Sequence, residues 1–146
     1  MQVEIKIDVS VTEPKVIILT GQMTDEINEI VRRLSETEPQ MIAGFQNDTV
    51  RILEQNSILR IYAANGKVFA ATEEGEYLLR LRLYELEERL RRDNFVRISN
   101  SEIINLKKVR HFDLSFSGTI CVSLSDGRVT YVSRRYVSKI KDVLGL

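Results

Sequence analysis

Apolar and polar residues alternate in short blocks along most of this chain, with three stretches at helical spacing. Val3, Ile5, Ile7 and Val9 share one side of an extended backbone, and Glu4, Lys6 and Asp8 share the other. A period of two predicts a strand with one wet face. Lys15–Thr20, KVIILT, is a β-branched run and predicts a second strand. Gly21 ends that pattern. Thr24 can cap a helix whose first turn carries Asp25 and Glu26, where negative charge is favourable. Ile27, Ile30, Val31 and Leu34 come next at helical spacing, and Pro39 lies past the end. The start of the chain therefore predicts a strand–strand–helix piece, residues 1–45. It is too short to fold alone, and is expected to pack on the remainder of the chain or to pair with a second copy.

From Gln46 the texture changes to short strands and tight turns. Val50 and Ile52 alternate. Ile58, Ile61 and Tyr62 lead into Asn65-Gly66, a hairpin signal because both residues tolerate positive φ. Val68–Thr72 is the return strand, Glu74-Gly75 turns again, and Tyr77, Leu79, Leu81 and Leu83 alternate. A short helix is predicted over Arg82–Arg92, with Leu83, Leu86 and Leu90 inward. Phe95–Ile98 and Ile103–Leu106 read as short strands. Phe112, Leu114 and Phe116 alternate up to Ser117-Gly118, and Ile120, Val122 and Leu124 run down to Asp126-Gly127. A strand through Val129 and Tyr131 and a terminal helix with Tyr136, Val137, Ile140, Val143 and Leu144 inward complete the chain. The fold class is mainly β with short helices (α+β), and residues 46–146 form the second domain.

The 146 residues carry 43% hydrophobic residues and a formal net charge of +0. That balance fits a globular chain and hides an asymmetry. Residues 1–50 hold four basic against nine acidic residues, and residues 89–146 twelve basic against five acidic. A basic C-terminal part points either to a polyanionic partner or to an unevenly charged, well-solvated surface. MQVEIKID has neither the basic nor the apolar region of a signal peptide, and no apolar run is long enough to span a bilayer. The expected setting is the cytoplasm.

Enzyme chemistry finds no support in the residues. His111 is the sole imidazole and sits in a predicted strand, with no nucleophile motif around it. Cys121 excludes an internal disulfide, and if Ile120 and Val122 are core it faces solvent. The glycines stand singly, and GxGxxG and GxxxxGKS/T are both absent. Neither a cofactor nor a small-molecule substrate is expected. Nucleic-acid contact has better material: phosphates take Lys, Arg and hydroxyls, and base edges take Arg, Asn or Gln. Such groups lie in polar breaks between strands, at Asn65 and Lys67, at Asn100 and Ser101, and at Ser133, Arg134 and Arg135.

FVRISNSEIINLKKVRHF, succeeded by LSDGRVTYVSRRYVSKIKDVL, resembles the LytTR DNA-binding domain family. Phe95, Arg97, Ser101, Ile103, Ile104, Asn105 and Leu106 match its first signature block, and Val132, Ser133, Arg134, Arg135 and Tyr136 its second. Ser99 departs from the histidine common in the family, and Asn100 is one of the variants at the next position. The resemblance covers residues 46–146. It implies antiparallel β-sheets whose inter-strand loops enter successive major grooves at promoter direct repeats. By position it implies base reading by the Asn65-Gly66-Lys67 turn, Asn100 and Arg135. It implies phosphate contact by Ser101, Ser133, Arg134 and Lys139. Phe95 is expected in the core and Asn105 in a structural turn, while Arg97 is open between reaching DNA and bracing the fold. The preceding segment is too short for a receiver domain, so Asp8 and Asp25 are not read as phospho-acceptors. The chain resembles stand-alone LytTR regulators, for which a homodimer and a restraining membrane-bound protein are the expected partners. A protein-interaction module with an incidental basic patch is the alternative, and a small-molecule-binding β domain a third reading.

Overall fold

The computed structural model describes residues 1–35, 41–90 and 94–146. The expected helix stop at Pro39 and the expected helix end at Arg91 and Arg92 lie outside them. The chain divides into two compact units, Met1–Pro39 and Gln40–Leu146.

In the first unit the helix forms as its pattern predicts. It is α1, Asp25–Ser35, and the Thr24 hydroxyl accepts from the Ile27 N–H at 3.2 Å. The two expected strands do not form: residues 2–8 and 15–20 carry no strand ladder. Val3 and Ile5 are each 84% exposed and Val9 is 99% exposed. A two-stranded hairpin without a further layer is marginal in water, so alternation alone does not produce a ladder here. Asp8 instead accepts from the Ser10 N–H at 2.9 Å and closes a local turn.

The second unit begins with a strand that the apolar pattern does not predict, β1, Ile42–Gln46. It pairs along its length with β2, Thr49–Leu53, and touches β5, Gly75–Leu79, so a boundary at 45/46 cuts through a hairpin. Gly44 in β1 hides that strand from pattern reading. A Cβ there would stand 2.8 Å from Leu53 Cδ1 and from Tyr77 Cβ, so glycine lets the neighbours close over the backbone.

β3, Ile58–Ala64, and β4, Lys67–Thr72, form the expected hairpin. Its two turn residues, Asn65 and Gly66, are left-handed, with φ of 53° and 74°. After β5 comes α2, Leu83–Leu90, then β6, Phe95–Ser99, and β7, Glu102–Asn105. These strands make a seven-stranded antiparallel sheet in the order β2-β1-β5-β4-β3-β7-β6. β8, Val109–Asp113, β9, Ile120–Leu124, and β10, Val129–Val132, make a second, three-stranded sheet. β8 stops at Asp113, short of the expected alternation through Leu114 and Phe116. Asp113 Oδ1 accepts from the N–H and the hydroxyl of Ser115, which turns the chain and holds this carboxyl below the ordinary carboxylate range. α3, Arg134–Leu144, closes the chain, ended by Gly145 at φ 75°.

Two apolar cores share β7. Ile103 packs with Ile58, Ile61, Tyr77, Leu79, Phe95 and the α2 leucines. Its neighbour Ile104 packs with Ile98, Ile120, Val122, Leu124, Val132 and Ile140. Successive strand residues point to opposite faces, so one strand serves both layers. Cys121 is buried with Ile120 and Val122 on either side, against the expectation that it faces solvent. β9 is the middle strand, with Asp113 and Tyr131 flanking Cys121 on its two neighbours.

Candidate nucleic-acid interface

The register of the larger sheet decides where the polar turns lie. β3 runs antiparallel to both β4 and β7, with Tyr62 opposite Glu102. The Asn65-Gly66 turn and the Asn100-Ser101 turn therefore leave the same end of the sheet from neighbouring strands. The Ala63 N–H donates to the Ser101 carbonyl at 2.8 Å and joins them. The N-terminus of α3 is tied to the same place, since the Ser133 N–H donates to the Ile98 carbonyl at 2.9 Å. Tyr136, one turn into α3, donates its hydroxyl to Asn100 Oδ1 at 3.3 Å. The structure thus brings together Asn65, Asn100, Ser101 and Ser133, with Lys67 and Arg134 next to them in sequence.

Asn65, Lys67, Asn100, Ser101, Arg134, Arg135 and Lys139 are exposed, and Ser133 is half-buried. Ser133 precedes α3 without using its hydroxyl as a cap. Arg134 lies over the chain at Gly118, where a Cβ would come 3.1 Å from its Nε. Lys139 stands four residues beyond Arg135 on α3, hence on a similar side of the helix, and no hydrogen bond links it to the turns. Asn105, in contrast, is 1% exposed and donates to the Ile58 carbonyl at 2.9 Å, the structural role expected of it.

The basic surplus of the C-terminal half separates into two sets. Arg97 pairs with Glu87 at 2.9 Å, Arg128 lies 3.7 Å from Glu76, and Arg110 donates to the Ser125 carbonyl at 2.7 Å. These cations are engaged within the fold. Among the described residues, no carboxylate forms an ion pair with Lys67, Arg134, Arg135 or Lys139. Unpaired exposed cations keep their full field for an anionic ligand.

Arg97 resolves toward the fold. Its Nε donates to the Ser99 carbonyl at 2.8 Å and its second terminal nitrogen to the Asn100 carbonyl at 2.6 Å. One planar guanidinium so binds α2 to the β6–β7 turn. Ser99, where the family commonly has histidine, accepts from the Ser101 N–H at 3.2 Å and stiffens the same turn. The hydroxyl role of Tyr136 is not visible in the sequence, where its helical spacing assigns it to the core alone. Nor is the approach of the Ser117-Gly118 loop to Arg134, for which the glycine is the available signal.

His111 Nε2 lies 3.2 Å from Ser123 Oγ at the surface, with Asp113 committed to Ser115. Among the described residues, no three His, Cys, Asp or Glu side chains gather as metal ligands, and no helix is long and apolar enough to cross a membrane.

The chain is similar along its whole length to HTH-type transcriptional regulators of Staphylococcus aureus that have not been characterised. The strain NCTC 8325 protein is 31% identical over 147 residues, covering 100% of this chain and 99% of the relative. The strain MRSA252 protein is 30% identical with the same coverage. Among solved structures, the fold matches the LytTr DNA-binding domain of a Bacillus cereus protein described as a methyl-accepting/DNA response regulator. The TM-score is 0.70 at 23% identity, covering 73% of this chain and 97% of that one. The family model for the LytTr DNA-binding domain matches residues 48–145, which take in β2 to β10 and α3, and the chain belongs to that family.

Proposed function

We propose that this chain is a sequence-specific transcription regulator that binds promoter DNA through the rim formed by these loops. The observation that carries the reading is the joining of three polar turns beside exposed cations that lack a carboxylate partner. Asn65, Lys67, Asn100 and Arg135 are the base-reading residues, because amide and guanidinium groups can pair with base edges. Ser101, Ser133, Arg134 and Lys139 meet phosphates, which position the protein without reading sequence. Loops on one rim suit successive major grooves on one face of the duplex, at direct repeats. The protein acts in the cytoplasm. The first unit, Met1–Pro39, forms its regulatory piece, and its exposed Val3, Ile5, Ile7 and Val9 suit a homodimer or a restraining membrane-bound partner.

Binding of labelled promoter fragments tests this. The wild-type chain should prefer specific duplex over competitor DNA at moderate salt. Arg135→Ala should cost roughly 1–3 kcal/mol and relax specificity at one position. Lys139→Ala should weaken all sequences alike and lower the salt slope by about one unit. Absence of any sequence preference in the wild type would end the regulator reading.

A further inference from the structure

Residues 2–8 alternate as a strand does, yet among the described residues no strand pairs with them. Val3, Ile5 and Ile7 are 84%, 84% and 93% exposed on one side, and Glu4, Lys6 and Asp8 are exposed on the other. An unpaired segment of this kind is a template for another strand. When it pairs antiparallel with itself, opposite residues share a face, so a symmetric register must centre on one residue. Centring on Glu4 sets Glu4 against its own copy. Centring on Lys6 sets Lys6 against its own copy and Glu4 against Asp8. Centring on Ile5 sets Glu4 against Lys6 twice and Val3 against Ile7 twice. Registers centred nearer either end pair fewer residues. One of them, about Ile7, also opposes Lys6 and Asp8, but it can lengthen only by running through Ser10. There the chain turns: the Val11 N–H donates to the Asp8 carbonyl at 3.1 Å, and Asp8 Oδ1 accepts from the Ser10 N–H and hydroxyl at 2.9 and 2.7 Å.

We propose that a second copy of this chain docks on residues 2–8 by antiparallel pairing about Ile5, with Glu4 opposite the partner's Lys6. This deepens the homodimer reading and rests on it. The charge pattern chooses the register, and the turn at Asp8–Val11 ends the strand where that register ends. Two strands alone are marginal in water. Each copy also supplies residues 15–20 and α1, with Ile17, Leu19 and Leu34 exposed, so further strands and a helical layer are at hand on both sides.

Sedimentation of the full chain over a concentration series tests the pairing. Wild type should dimerise. Lys6→Glu and Glu4→Lys each set like charges opposite one another at two places, and each should weaken the dimer by roughly tenfold. Mixed together, the two variants should recover wild-type affinity, because every charged pair across the axis is then of opposite sign. Both positions are exposed and lie outside the two cores, so neither variant should unfold the second unit. A wild-type dimer that neither reversal weakens overturns the pairing and leaves the homodimer reading standing. The same holds if the mixture fails to restore what the single variants lose. A chain that stays monomeric throughout the series overturns both.

Discussion

The Asn105 side chain ties together two backbone groups. Its amide nitrogen donates to the Ile58 carbonyl at 2.9 Å and its oxygen accepts from the Lys107 N–H at 3.0 Å. Asn105→Ala leaves those two backbone groups without partners beside the core. It should therefore destabilise the protein by about 1–3 kcal/mol. Urea unfolding measures this, and a change below about 0.5 kcal/mol would mean that water replaces the amide. The role is legible in part. A lone asparagine at the end of an apolar strand predicts a satisfied turn residue, although the Ile58 partner lies 47 positions away. Arg97 is not legible in the same way. Its three acceptors include two carbonyls of a turn, and residue type carries no information about which carbonyls lack ladder partners.

Between elements, Glu102 is the clearest tie. It leaves β7 toward the smaller sheet, where the Thr130 hydroxyl of β10 donates to it at 2.7 Å. Its other oxygen meets Arg60 of β3 at 3.1 Å. Both charged side chains are largely buried, so removing one strands the other in a dry setting. Glu102→Leu should cost about 3–5 kcal/mol, whereas Arg60→Met with Glu102→Leu should recover most of that loss. Thermal unfolding of wild type and the two variants compares them. A double variant as unstable as the single one would show that packing, and not the stranded charge, sets the cost. Pattern reading finds the hairpin at Asn65-Gly66 because its φ requirement is written in two adjacent residues. It misses β1 because Gly44 answers to the closeness of Leu53 and Tyr77, a contact that only tertiary structure creates.

At the scale of the whole molecule, the two units differ in how they satisfy their own apolar residues. Residues 41–146 contain both cores, while Val3, Ile5, Ile7 and Val9 lie open. A chain beginning at Met41 should stay folded, and under the proposed homodimer reading it should no longer self-associate. If two copies act together on repeated sites, its apparent affinity for promoter DNA should drop by roughly 10²–10⁴. Light scattering and binding titrations check the two halves of this expectation. An unchanged oligomeric state and affinity would assign the first unit some other task. The alternation of that unit predicts strands, but alternation reports only which face a strand would bury. It does not supply the neighbouring backbone that a ladder requires.

Cys121 has a practical consequence. A single thiol enclosed in the middle strand of the smaller sheet is a built-in clock. Burial slows a labelling reagent until the sheet opens, so the reaction rate rises with the population of open molecules. β7 couples that sheet to the turn ending at Ser101. A duplex seated on the turn would therefore slow the clock from a distance, by holding molecules closed.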